Sequence, residues 1–130
     1  MSRANFCILT NNPLAAEKYP GTAVFMESAS VEGIFISARD KIHIGAKIIN
    51  HPLAGSVKPN ESPFKSLVLS LDLGPADMDS LALIEGALAV LKKLPQKNRR
   101  YGQRVLDDFM TIDMDLLDSA IKALPPQYHF

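Results

Sequence analysis

The fold is decided by a stretch in which a short apolar run is followed directly by a helix start: Asn5-Phe6-Cys7-Ile8-Leu9-Thr10-Asn11-Asn12-Pro13. The run predicts a buried β-strand. Asn caps helices well and Pro favours the first helical position, so a helix is expected at once after the strand. Cys7, the single cysteine of the chain, is predicted to be a small buried residue rather than a nucleophile.

Outward from this stretch, strand and helix patterns alternate. Further predicted strands cover residues 22–27, 66–71 and 107–112. Predicted helices begin at Val31, run from about residue 77 to 94, and run from Met114 to Leu124 with Asp113 as the cap. The alternation predicts one α/β domain over residues 1–130, with a mainly parallel sheet of about four to five strands and helices on both faces.

Composition excludes several classes of function. The chain has 130 residues, and 14 basic residues balance 14 acidic ones. No global charge therefore attracts nucleic acid, and the basic stretch 92–104 is interpreted as a solvated connection. No apolar run reaches the roughly 18 residues of a membrane span, and no signal peptide is apparent. These observations predict a cytoplasmic protein without a membrane or nucleic-acid partner, and they leave a homo-oligomer open.

The first candidate site is Arg39-Asp40-Lys41-Ile42-His43. On a helix, Arg39 lies four positions and Asp40 three positions before His43, so the three side chains can converge. An Asp beside a His raises the basicity of the imidazole, so His43 and Asp40 are the candidate catalytic pair. A solvated helix face with a local ion pair is an equally good interpretation. No metal site and no cofactor are predicted, since His51 is the only further ligand nearby.

The second candidate site is the long segment from His51 to Lys65, which contains three prolines. Loops of this length in compact domains are often functional. A glycine, a hydroxyl and two lysines can hold a phosphate or carboxylate. The candidate ligand-binding residues of the segment are His51, Gly55, Ser56, Lys58, Asn60 and Lys65. The alternative is a proline-stiffened connection whose polar residues cap their own backbone.

The third candidate site is Thr10-Asn11-Asn12-Pro13, where the first strand meets the first helix, and its candidate ligand-binding residues are Asn11 and Asn12. Ligands bind at this edge of open parallel sheets, and helix starts favour anions. A simple helix cap is the alternative interpretation. This site meets the loop only if the strand 66–71 runs antiparallel to the first strand, or if the loop folds back.

Three segments together resemble the GrdX family. They are Thr10-Asn11-Asn12-Pro13-Leu14, Arg39-Asp40-Lys41-Ile42-His43-Ile44-Gly45 and the run from His51 to Ser66, which is the most specific. Members of this family are small proteins encoded with the glycine, sarcosine and betaine reductase systems of anaerobic bacteria. The resemblance implies a cytoplasmic accessory role, with a reductase-complex subunit as a partner, and it brings no catalytic residues with it.

Three hypotheses follow for the function. The first is a noncatalytic protein that binds a small anionic metabolite through Arg39, His43, Ser56, Lys58 and Lys65. The second is a small enzyme in which Asp40 positions His43 as acid or base. The third is a protein-interaction module that docks on a reductase subunit. The absence of a complete catalytic constellation favours a protein that is not an enzyme.

Overall fold

The computed structural model describes residues 4–55, 58–95 and 100–130. Within these ranges the chain forms three strands and four helices. In chain order they are β1 (Phe6–Thr10), α1 (Pro13–Lys18), β2 (Ala23–Phe25), α2 (Val31–His43), β3 (Ser66–Ser70), α3 (Met78–Lys93) and α4 (Gln103–Lys122).

The strands form one mixed sheet in the order β2-β1-β3. β1 and β2 are parallel, with Ile8 opposite Ala23, and α1 makes the crossover between them. β3 is antiparallel to β1, with Thr10 opposite Ser66. The far edge of β3 is covered by the segment 47–50, in which Ile49 N–H donates to the Val68 carbonyl at 2.8 Å.

Each face of the sheet is covered by two helices, as the sequence predicted. Alternate residues of a strand point to opposite faces. One cluster therefore contains Cys7 and Leu9 with residues of α2 and α3, and the other contains Phe6 and Ile8 with residues of α1 and α4. Cys7 is buried, and burial raises the pKa of its thiol, which agrees with the predicted structural role.

The prediction of a mainly parallel sheet of four to five strands is wrong. Residues 107–112, predicted as a strand, lie inside α4, and Asp113 is a buried residue of that helix rather than its cap. The β-rich run 109–112 is overridden by a stripe at helical spacing, in which Met110, Met114 and Leu117 share a face. Tertiary packing of such a stripe outweighs the local β preference.

The direction of β3 follows from the path of the preceding chain. α2 carries the chain away from the carboxyl ends of β1 and β2. After a left-handed turn at Gly45 (φ 118°), the segment 46–50 runs back beside β3. The loop 51–65 therefore turns at the carboxyl ends of β1 and β2, and β3 must enter the sheet there and run antiparallel to β1.

Candidate functional site

The loop 51–65 is attached to the end of β1 by the Asn11 side chain. Its amide nitrogen donates to the carbonyls of Ala29 at 2.7 Å and Pro63 at 2.8 Å, and its oxygen accepts from Lys65 N–H at 2.8 Å. The second and third candidate sites of the sequence therefore meet in the folded chain. The Asn11 side chain holds the two sites together with all of its polar groups, because both amide protons donate and the carbonyl oxygen accepts in these contacts.

A small cavity lies between this loop, the start of α2 and the middle of α4. Its volume is about 40 Å³, which is room for about three water molecules. We call it the Asp113 cavity, and its walls are apolar apart from two lysines, a serine and one carboxylate. It is lined by Val31, Phe35, Ala54, Lys58, Pro59, Ser62, Phe64, Lys65, Ile112, Asp113 and Leu116.

Asp113 is held in the cavity wall by a buried hydrogen-bond network. Its Oδ2 accepts from Ser66 Oγ at 2.7 Å and from Asn12 Nδ2 at 3.0 Å. Ser66 Oγ also lies 2.7 Å from Thr10 Oγ1, which accepts from the backbone N–H of Asn12 at 2.9 Å. The same Asn12 caps α1 through Leu14 N–H. One network thus joins β1, β3, α1 and α4 around a single carboxylate.

Burial disfavours the charged forms of both ionisable groups in the cavity wall. It raises the pKa of Asp113, against the hydrogen bonds from Ser66 and Asn12 and the nearby charge of Lys65. It lowers the pKa of Lys65, against the opposing effect of Asp113. Groups that burial shifts in this way inside a cleft are candidates for functional sites, although structural networks shift them too.

A wider groove of about 530 Å³ adjoins the Asp113 cavity, and Val31 and Phe64 line both. Asn11 and Phe25, at the carboxyl ends of the two parallel strands, form its floor. Ser28 on its rim has a φ of 63°, an unusual conformation for a residue other than glycine. The cavity and groove thus lie at the edge of the sheet where α/β proteins bind ligands.

The other loop candidates have different surroundings. His51 Nδ1 accepts from Leu53 N–H at 3.1 Å, which is a local turn contact. Gly55 has a φ of 110° and packs against Leu116 of α4. Asn60 donates to the Pro95 carbonyl at 2.9 Å and borders a separate surface depression. Ser56 lies outside the described residues, as do residues 96–99 of the basic stretch.

The first candidate site lies at the opposite end of α2. His43 follows Val31, which lines the cavity, by twelve residues, or about 18 Å at roughly 1.5 Å per residue. Asp40 and His43 are exposed, and no hydrogen bond or ion pair joins these two described residues. Arg39 pairs with Glu85 of α3 at 3.4 Å. The structure therefore does not bring this trio together with Lys58 and Lys65.

Sequence reasoning misses the buried carboxylate in the cavity wall. The local pattern predicts a strand before Asp113 and therefore a helix cap at Asp113. The signal that could have identified it is its position: it stands on the apolar stripe between Met110 and Leu117, where a carboxylate needs buried partners. The roles of Thr10 and Ser66, at facing ends of two strands, had no separate signal.

Two further classes of site are absent from the parts of the chain that the structure describes. No group of three metal-ligating side chains occurs within residues 4–55, 58–95 and 100–130. In the same ranges, none of the helices has the length and apolar character needed to cross a bilayer.

Fold and site together define a small single-domain α/β protein with a mixed three-stranded sheet, and with a largely apolar cavity, containing two lysines and a carboxylate, at the carboxyl edge of its parallel strands. The family model for GrdX-like proteins matches residues 7–122, most of the chain. The chain therefore belongs to the GrdX-like family, and the resemblance noted in its sequence is confirmed. It matches no curated protein and no solved structure.

Proposed function

We propose that this chain is a noncatalytic, cytoplasmic accessory protein that binds a small anionic metabolite in the Asp113 cavity. The family name associates it with glycine reductase-type systems. On this proposal it acts beside the glycine, sarcosine or betaine reductases, as a binding protein for a metabolite of that pathway rather than as a reductase subunit.

The observation that carries the proposal is the position of Lys65. Lys65 is half-buried in the wall of a largely apolar cavity, and burial lowers the pKa of its ammonium group. A buried ammonium group costs free energy unless a partner compensates its charge. None of the ion pairs between described residues includes Lys65. A ligand carboxylate or phosphate would supply the missing partner.

Two neighbouring features favour an anion at the same place. Lys58 lines the cavity and is exposed, so it can attract an anion from solvent. The first residue of α2, Val31, lies in the cavity wall, where the amino end of a helix of 13 residues adds partial positive charge. Both effects fall with added salt, so affinity should fall as well.

A second candidate function is docking on a reductase subunit. Apolar side chains beyond the other end of the sheet support it: Ile44 is 58% exposed, Leu71 54% and Leu73 82%. These three residues border one shallow depression beside Cys7. Sedimentation of the chain with a purified reductase subunit, before and after Leu73→Ser, tests this candidate. Co-sedimentation that Leu73→Ser abolishes would favour docking, while self-association of the chain alone would indicate a homo-oligomer.

The binding proposal is tested by calorimetric titration with glycine, sarcosine, betaine and acetyl phosphate. The wild-type chain is compared with Lys65→Met and with Lys92→Met, which removes an exposed lysine at the end of α3. We expect at least one compound to bind, and Lys65→Met to weaken it at least tenfold (about 1.4 kcal/mol) while Lys92→Met has no effect. Equal affinities for both variants, or no binding at all, would refute the proposal.

A turnover assay, rather than a measurement of affinity, distinguishes the enzyme hypothesis from the binding proposal. Asp40 and His43 lie in solvent, and no observation among the described residues links them to the cavity. His43→Ala is therefore expected to leave binding unchanged. Conversion of any of these compounds that His43→Ala abolishes would favour the enzyme.

A further inference from the structure

Two opposite charges line the Asp113 cavity without forming a direct ion pair. Lys65 and Asp113 are both part of its wall, and each influences the pKa of the other. The ion pairs between described residues are Lys18–Asp118 and Arg39–Glu85, so no close nitrogen–oxygen contact joins Lys65 to Asp113. The cavity therefore has a positive and a negative wall position with a gap between them.

The network around Asp113 holds its carboxylate at that position. The donors Ser66 Oγ and Asn12 Nδ2 both reach Oδ2, and they come from β3 and from the start of α1. Asp113 belongs to the middle of α4 and is only 6% exposed. A carboxylate fixed in this way cannot turn toward Lys65 without losing two buried hydrogen bonds, which keeps the two charges apart.

We propose that the ligand of the Asp113 cavity carries a carboxylate and an ammonium group together, as a small α-amino acid does. This rests on the proposed function and narrows its ligand class. The ligand carboxylate pairs with Lys65, and its ammonium group donates to Asp113. A ligand with only a negative charge would satisfy Lys65 but face the carboxylate of Asp113 at close range, which disfavours it.

The remaining walls set the size and polarity of the ligand side chain. Phe35, Phe64 and Leu116 are apolar, and the volume of about 40 Å³ leaves room for only a few heavy atoms. Even glycine or alanine has more heavy atoms than the roughly three water molecules that this volume holds. Part of such a ligand therefore extends past Val31 and Phe64 into the adjoining groove.

Small compounds that carry one or both of the charged groups test the proposed ligand class without any mutation. Calorimetric titration of the wild-type chain compares alanine with propionate and ethylamine, each of which lacks one of the two charged groups. We expect alanine to bind at least tenfold more tightly than either. If propionate binds as tightly as alanine, anion binding stands and the inference is overturned. If none of the three binds, the inference fails, and the titration with acetyl phosphate decides separately whether the proposed function stands.

A pair of variants tests whether Asp113 causes the preference for alanine over propionate. Asp113→Asn keeps an oxygen for Ser66 and Asn12 but removes the charge, and Asp115→Asn makes the same change at an exposed position of α4. We expect Asp113→Asn to abolish the preference for alanine over propionate, while Asp115→Asn retains it. Circular dichroism checks that both variants fold. A folded Asp113→Asn protein that retains the tenfold preference would overturn the inference.

Discussion

The two ends of α2 carry polar residues of opposite kinds. At its carboxyl end, Arg39, Asp40 and His43 stand in solvent or in a long surface pair. At its amino end, the helix borders a cavity whose carboxylate is buried and doubly hydrogen-bonded. The residues at the carboxyl end are identified by their closeness in sequence. The carboxylate at the amino end is distinguished by its burial, and a buried polar group affects the free energy of the protein far more than an exposed one.

The largest expected effect is on the buried network. Asn12→Ala removes the cap of α1 and one of two donors to Asp113, and should lower the free energy of unfolding by about 2–4 kcal/mol. Asn60→Ala, which removes one bond to the Pro95 carbonyl, should cost no more than about 1 kcal/mol. Urea denaturation measures both. Similar losses for the two variants would remove the contrast between the buried network around Asp113 and the partly buried loop at Asn60.

A smaller effect is expected at the turn that closes the loop over α4. Gly55 has a φ of 110°, and an added Cβ would lie 2.7 Å from Leu116 Cδ1. Gly55→Ala should therefore cost about 1–2 kcal/mol, since the Leu116 side chain can move but the backbone strain remains. Gly86→Ala is the control, because Gly86 lies within α3 with open space around it. It should be neutral or stabilising.

The burial of the Asp113 carboxyl group predicts how the free energy of unfolding changes with pH. Its folded pKa lies above the ordinary 3.8, mainly because of burial. Its favourable contribution is therefore fully present below about pH 3.8 and lost as pH rises through the folded pKa. Relative to wild type, Asp113→Asn should become progressively more stable from pH 3.5 to 6.5, whatever its absolute stability. Urea titrations across this range measure it, and a stability difference that stays constant with pH would contradict the effect of burial on this carboxyl group.

The smallest effect is expected at the far end of α2. The Arg39 and Glu85 side chains are 34% and 50% exposed, and their contact is 3.4 Å long. A double-mutant cycle with alanine at both positions should give a coupling of at most about 0.5 kcal/mol, decreasing with salt. A coupling above 1 kcal/mol that persists in high salt would contradict the view of this end as a solvated face.

Much of the fold could be predicted from local signals. The predictions of a strand before Thr10, of a helix start at Asn12-Pro13, and of helices that begin at Val31 and near residue 77 agree with the structure, because local preference and packing favour the same conformation there. Local preference and packing disagree at 107–112, where a β-rich run lies inside an amphipathic helix. That error also hid Asp113, because a residue placed before a helix is interpreted as its cap.

The meeting of the loop with Asn11 could not be predicted, because it depends on the direction of β3. Strand direction is set by the path of the whole segment 44–65, which no local pattern encodes. The sequence did identify Lys58 and Lys65 as binding candidates from composition. It could not indicate that Arg39 and His43 lie about 12 Å and about 18 Å further along the same helix than Val31, at roughly 1.5 Å per residue.

The most direct test of the central claim is a nuclear magnetic resonance titration of the ¹⁵N-labelled chain with alanine. If the cavity at the amino end of α2 is the site, the backbone shifts of Phe35, Phe64, Lys65 and Asp113 should move together and saturate. The shifts of Arg39, Asp40 and His43 should stay in place. Saturating shifts centred on Arg39 to His43, with the cavity residues unmoved, would contradict the account.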